Sequence, residues 1–110
     1  VSIELPNTIT NIGGNAFEYC SNLTSIDLPN SITNIEGGLF YGCSSLISIE
    51  LPNTITNIGG GAFAGCSKLT SIQLPNTVTS IGARAFSGSG LESIEIPNSV
   101  MTIDNYAFAG

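Results

Sequence analysis

Five prolines, Pro6, Pro29, Pro52, Pro75 and Pro97, recur at intervals of 23, 23, 23 and 22 residues. Every large apolar column moves with them. Ile3, Ile26, Ile49, Ile72 and Ile94 form one column, and Leu5, Leu28, Leu51, Leu74 and Ile96 the next. Ile12, Ile35, Ile58, Ile81 and Ile103 form a third, and Phe17, Phe40, Phe63, Phe86 and Phe108 close each unit. A fixed period in the twenties means similar coils stacked on one another, because one such coil cannot bury its apolar set alone. Residues 1–110 therefore read as one solenoid unit, with four complete repeats and part of a fifth.

Within a repeat, "LTSIDLP" (residues 23–29) alternates Ile26 and Leu28 with Ser25 and Asp27, the pattern of a half-buried strand. Pro29 has no N–H to give and ends that ladder. "NSITNI" (residues 30–35) runs back across the coil and inserts two more apolar residues. The glycines before Ala62 and Phe63 argue against a long helix, each costing ~1 kcal/mol relative to Ala. The expectation is a β-dominated solenoid with strands stacked as a parallel sheet, and short turns or single 3₁₀ turns elsewhere.

Composition narrows the function. Eight acidic residues against two basic ones leave a net charge of −6. Nucleic acid is not an expected partner, since phosphate recognition needs Lys and Arg to displace counterions. No apolar run approaches the ~20 residues of a membrane span, so membrane insertion is not expected either. The chain has no histidine, which removes Ser–His and Cys–His nucleophile pairs and the His-containing zinc sets. No enzyme, no cofactor and no metal is expected.

"LTSIDLPNSITNIEGGLF" fits the leucine-rich-repeat pattern L-x-x-L-x-L-x-x-N/C-x-L through its first six positions. With the added "IGGGAFAGCSKL" (residues 58–69), the chain resembles the BspA-like bacterial surface leucine-rich repeats along its whole length. That resemblance implies a right-handed horseshoe arc with its parallel sheet on the concave side. It also implies an extracellular or cell-surface location and adhesion to host matrix or plasma proteins. The asparagine slot of the pattern departs, holding Thr8, Ser31, Thr54, Thr77 and Ser99. The unit from Pro75 to Ile96 is one residue short, "FSGSGL" (residues 86–91) standing where others read "FAGCSKL". Neither end carries a polar capping repeat, so the terminal coils are expected to expose apolar edges and to associate end to end.

The columns expected on the concave face are Glu4, Asp27, Glu50, Gln73 and Glu95, with Ser2, Ser25, Ser48, Ser71 and Ser93 beside them. Half of all carboxylates fall in this stripe, where neighbours ~5 Å apart repel by ~0.8 kcal/mol before screening. Three readings remain open: a device that keeps the sheet soluble, a face that attracts a basic protein ligand, and a cation site. The candidate ligand-binding residues are accordingly Glu4, Asp27, Glu50, Gln73, Glu95, Ser25, Ser48, Ser71 and Ser93. A structural spacer without a ligand is the alternative, favoured by the uniformity of these columns.

Three further sets read as structure. Cys20, Cys43 and Cys66 stack with parallel Cβ vectors and read as small buried thiols. Asn7, Asn30, Asn53, Asn76 and Asn98, and the shorter set Asn11, Asn34 and Asn57, read as amides that bond one another and the turn carbonyls. Arg84 and Tyr106 share a convex column on adjacent coils, where a stacking contact is expected.

Overall fold

A computed structural model describes residues 2–92, 94–104 and 106–108, with residues 2–4 in backbone only. The described chain winds into coils that stack in register, and its elements are β1 (Ser2–Glu4), β2 (Ser25–Asp27), β3 (Asn34–Ile35), β4 (Asn57–Ile58), β5 (Ser80–Ile81) and β6 (Thr102–Ile103). All pairing is parallel, and each residue meets its equivalent one repeat away, Ile3 with Ile26 and Ile58 with Ile81. No helix forms among the described residues.

The strands are distributed differently from the simplest expectation. Along the "SID" segments, β1 pairs β2, and the third coil adds a single bridge between Asp27 and Glu50. Further along, cross-coil bonds on this side continue without a regular ladder, as in Glu92 N–H to the Thr70 carbonyl at 3.2 Å. The prolines that follow each segment cannot donate, so the ladder has little to extend it. The four-stranded sheet β3–β4–β5–β6 lies instead on the return segment.

Hydroxyls explain why the return segment holds. Thr54 Oγ1 donates to the Ile32 carbonyl at 2.7 Å, Thr77 Oγ1 to Ile55 at 2.6 Å, and Ser31 Oγ to Ile9. These are the residues that fill the pattern's asparagine slot, so a hydroxyl does across coils the carbonyl-satisfying work expected of an amide. Thr56 and Thr79 add similar bonds to Thr33 and Thr56.

On the third side, residues 59–66 show the backbone logic of the turn. Alternate N–H groups bond locally and across coils. Ala62, Ala64 and Cys66 donate three residues back, to Gly59, Gly61 and Phe63. Gly61, Phe63 and Gly65 donate to Ala83, Ala85 and Ser87 of the next coil, at 2.7–2.9 Å. This alternation requires left-handed backbone at Gly61 and Gly65, φ 67° and 77°, where a side chain is disfavoured.

The core is wholly apolar among the described residues, with no buried polar or charged residue. Its centre is a file of phenylalanine rings. Phe40, Phe63 and Phe86 stack at 5.3 Å with planes within 13° of parallel, and Phe17 and Phe108 extend the file at 5.7 and 5.3 Å. That is the separation at which offset rings attract. Cys43 and Cys66 are buried beside it as free thiols, each Sγ donating to a phenylalanine carbonyl of the preceding coil at 3.1 Å.

Candidate ligand-binding groove on the strand face

The strand register places the acidic column. Glu4 pairs with Asp27 in β1–β2, and Asp27 bridges Glu50. Asp27, Glu50, Gln73 and Glu95 are all exposed, because alternation along the segment turns Ile26, Ile49 and Ile72 into the core. Ser48 and Ser71 are exposed and Ser25 is half-buried. Ser93 and the side chain of Glu4 lie outside the described residues.

The structure gathers part of this stripe into a groove of about 680 Å³. Asp27, Glu50 and Gln73 line it along one column. Leu28, Leu51 and Leu74 contribute apolar surface, Pro52 and Pro75 form part of the lining, and Asn30, Asn53 and Asn76 bring amides. Glu95, two coils beyond Glu50, and the serine column are not among the lining residues. The groove thus offers carboxylates, amide donors and acceptors, and an apolar strip within one concavity. Among the described residues, no three His, Cys, Asp or Glu side chains come together as a metal set.

The two asparagine columns part company here. Asn57 Nδ2 donates to Asn34 Oδ1 at 2.9 Å, and Ser80 Oγ donates to Asn57 Oδ1 at 2.5 Å, so Asn34 and Asn57 of the second column bond each other as expected. Asn30, Asn53 and Asn76 are exposed and line the groove. Ile47 is the other residue that sequence reasoning passed over. It is 55% exposed beside the stripe, between Thr24 and Thr70 of the neighbouring coils, and an apolar residue between two threonines is the signal.

The two buried thiols, Cys43 and Cys66, are poorly placed to act as nucleophiles. Burial pushes the Cys66 thiol up to about 12, with Cys43 nearby as a second cause, and burial also raises Cys43. The stacking contact expected on the turn side is present, the Arg84 guanidinium lying 5.1 Å from the centre of the Tyr106 ring.

A family model described as BspA type leucine-rich repeat region (6 copies) matches residues 1–110. The chain belongs to the BspA-type leucine-rich repeats. Solved structures agree. A leucine-rich repeat protein of T. pallidum is 33% identical with a TM-score of 0.93, over 98% of this chain and 53% of that one. One from Bacteroides ovatus is 34% identical with a TM-score of 0.88, over 98% of this chain and 30% of that one. A leucine-rich cell surface protein from Faecalibacterium prausnitzii is 26% identical with a TM-score of 0.54, over 97% of this chain and 44% of that one. This BspA-type chain therefore spans about half, or less, of the length of these solved relatives. Among curated proteins none matches it. The family reads as a protein-interaction scaffold, which fits a surface built from repeated strands and open columns.

Proposed function

We propose that this chain is an adhesin-type module of an extracellular or cell-surface protein, binding a protein ligand through its acidic strand face. The observation that carries the reading is the groove in which Asp27, Glu50 and Gln73 share one lining with Asn30, Asn53 and Asn76. A net charge of −6 favours a ligand with Lys or Arg side chains, and charge of this kind sets the rate and specificity of encounter more than affinity. The amides give directional bonds and the leucine strip gives apolar area, which a charged stripe alone lacks. Host matrix and plasma proteins are the ligand class that the family suggests, and the similar Faecalibacterium prausnitzii protein, a cell surface protein, supports the location.

The test is binding to a panel of immobilised matrix and plasma proteins at two salt concentrations. The wild type runs beside a variant with Glu4, Asp27, Glu50 and Glu95 changed to their amides. Binding that weakens with salt and is lost in the variant is the expected result. If a well-folded wild type binds nothing, the spacer reading takes over, and the near-uniform Ser25, Ser48 and Ser71 column already favours it.

A further inference from the structure

Along the groove the chemistry changes from coil to coil. Its charged row is Asp27 in the second coil and Glu50 in the third, followed by Gln73 in the fourth. Asp27 and Glu50 are bridged neighbours, so two carboxylates stand on adjacent rungs ~5 Å apart. Gln73 is a neutral amide, although the column returns to a carboxylate at Glu95. Beside that row run Leu28 and Leu51, half-buried, and Leu74, buried. Asn30, Asn53 and Asn76 are exposed and, among the described residues, have no partner in the chain, unlike the bonded pair Asn34 and Asn57. Pro52 and Pro75, both buried, fix the backbone between the rows, so the lining is set before a ligand arrives.

We infer that the groove takes an arginine side chain at its Asp27–Glu50 end and an uncharged stretch of the same ligand segment at its Gln73–Asn76 end. The inference rests on the proposed binding of a protein ligand and names what that ligand carries. A net charge of −6 draws in cations of either kind, but guanidinium and ammonium fit this end differently. Guanidinium is a planar fork with donors on two edges, so it can serve carboxylates on neighbouring rungs at once. Ammonium is a compact, strongly hydrated point charge and loses more water on lying against leucine. The arginine stem covers apolar surface while its head stays wet, which matches Leu28 and Leu51 running beside the carboxylates.

One coil further, the carboxylate is gone and the amides continue. Gln73 and Asn76 each donate and accept, which suits peptide groups and neutral side chains rather than a second cation. Asp27 and Gln73 are two rungs apart, ~10 Å, and an extended segment covers that distance in about three residues. The ligand signature is an arginine with about three uncharged residues to one side of it, lying along the stack. An acidic residue on that stretch is rejected, because Glu50 and Glu95 flank it.

Three blocked peptides test this: acetyl-Gly-Arg-Gly-Gly-amide and its lysine and citrulline counterparts, titrated into the isotopically labelled chain and followed by backbone amide NMR. The arginine peptide is expected to move the signals of Asp27, Asn30, Glu50 and Asn53 with a Kd on the order of 1 mM. Citrulline keeps the shape without the charge and should bind about fivefold more weakly or worse, with lysine between the two. Glu50→Gln should cost the arginine peptide about fivefold. Glu18→Gln, the same change of net charge at an exposed turn residue, should leave it unaltered. Gln73→Glu should improve binding of a peptide with a second arginine three positions on. Equal binding of the arginine and citrulline peptides overturns the inference. So does the absence of shifts up to about 20 mM peptide, or an equal loss in Glu50→Gln and Glu18→Gln. The two readings fail separately. A matrix protein that binds through the stripe and keeps its affinity after its arginines are converted to citrulline upholds the adhesin reading and sinks this one. Arginine-specific shifts with no binding anywhere in the protein panel do the reverse.

Discussion

Cutting the phenylalanine file at its middle should cost far more than cutting it at its end, and Phe63→Ala measures the difference. Phe63 is fully buried, with Phe40 and Phe86 each 5.3 Å from its centroid. Truncating a buried Phe costs ~3–5 kcal/mol, and two ring contacts of ~0.5–1.5 kcal/mol each place this site in the upper half of that range. Phe17 is half-buried and has one ring neighbour, Phe40, at 5.7 Å, so Phe17→Ala should cost ~2 kcal/mol. A domain of this size holds ~5–15 kcal/mol in all. Urea unfolding followed by far-UV circular dichroism reads both. With a slope of ~1–3 kcal/mol/M, Phe63→Ala should lower the midpoint by ~2 M and Phe17→Ala by about half that. In a stacked array each coil is stabilised mainly by its two neighbours, so the central change should also broaden the transition. Equal costs at the two sites, or less than about 2 kcal/mol at Phe63, would refute the nearest-neighbour account.

Other perturbations follow from the surroundings of single residues. Burial raises the Cys66 thiol to about 12, so the folded chain keeps that proton after the unfolded chain has released it; stability should fall as pH rises from about 9 toward 12. Cys66→Ala should flatten that fall in a series of urea melts, and half-exposed Cys20 should outpace Cys66 in thiol labelling at pH 8. Thr54→Ala loses the 2.7 Å bond to Ile32 and should cost ~1 kcal/mol, whereas the Ser99 hydroxyl is buried without a partner, so Ser99→Ala should be neutral or slightly stabilising by calorimetry. Gly90 lies so close to the Ser67 carbonyl that an added Cβ would overlap it, and Gly90→Ala should cost ~1–3 kcal/mol or more by urea melt.

The period made much of this legible, because a residue and its equivalent one repeat later must be neighbours in any stack. The Phe file, the thiol column, the Asp27–Glu50 adjacency and the Arg84–Tyr106 contact all follow from that single fact. The β3–β6 sheet did not follow. Its rungs are two residues long and begin on Asn or Ser in three of the four strands, poor or neutral strand formers, and side-chain hydroxyls and amides reinforce its backbone bonds between coils. Backbone hand was equally hidden: nothing in the identity of Tyr19 or Arg84 announces φ near +58°, except that glycine fills the same slot in other coils. The groove was half legible. Asp27, Glu50 and Gln73 were expected at the surface, but Asn30 and Asn34 look alike in sequence, and only the fold turns one toward a groove and locks the other in a ladder.

The alternating turn bonds have a directional effect. From Asn15 N–H to the Gly37 carbonyl, through Phe40 to Ala62 and on to Phe86 to Ala107, every such cross-coil bond on that side points the same way along the stack. On the return side the sense is reversed, Gly59 donating back to Ile35 and Gly82 back to Ile58. The opposed dipoles offset each other, so stacking more coils builds no growing electrical potential of the kind a long helix carries at its ends. Each coil boundary is nonetheless keyed, with donors on one side facing acceptors and the reverse on the other. A repeat copied elsewhere in such a chain can seat in one polarity only, so duplication lengthens the array without having to specify its direction anew.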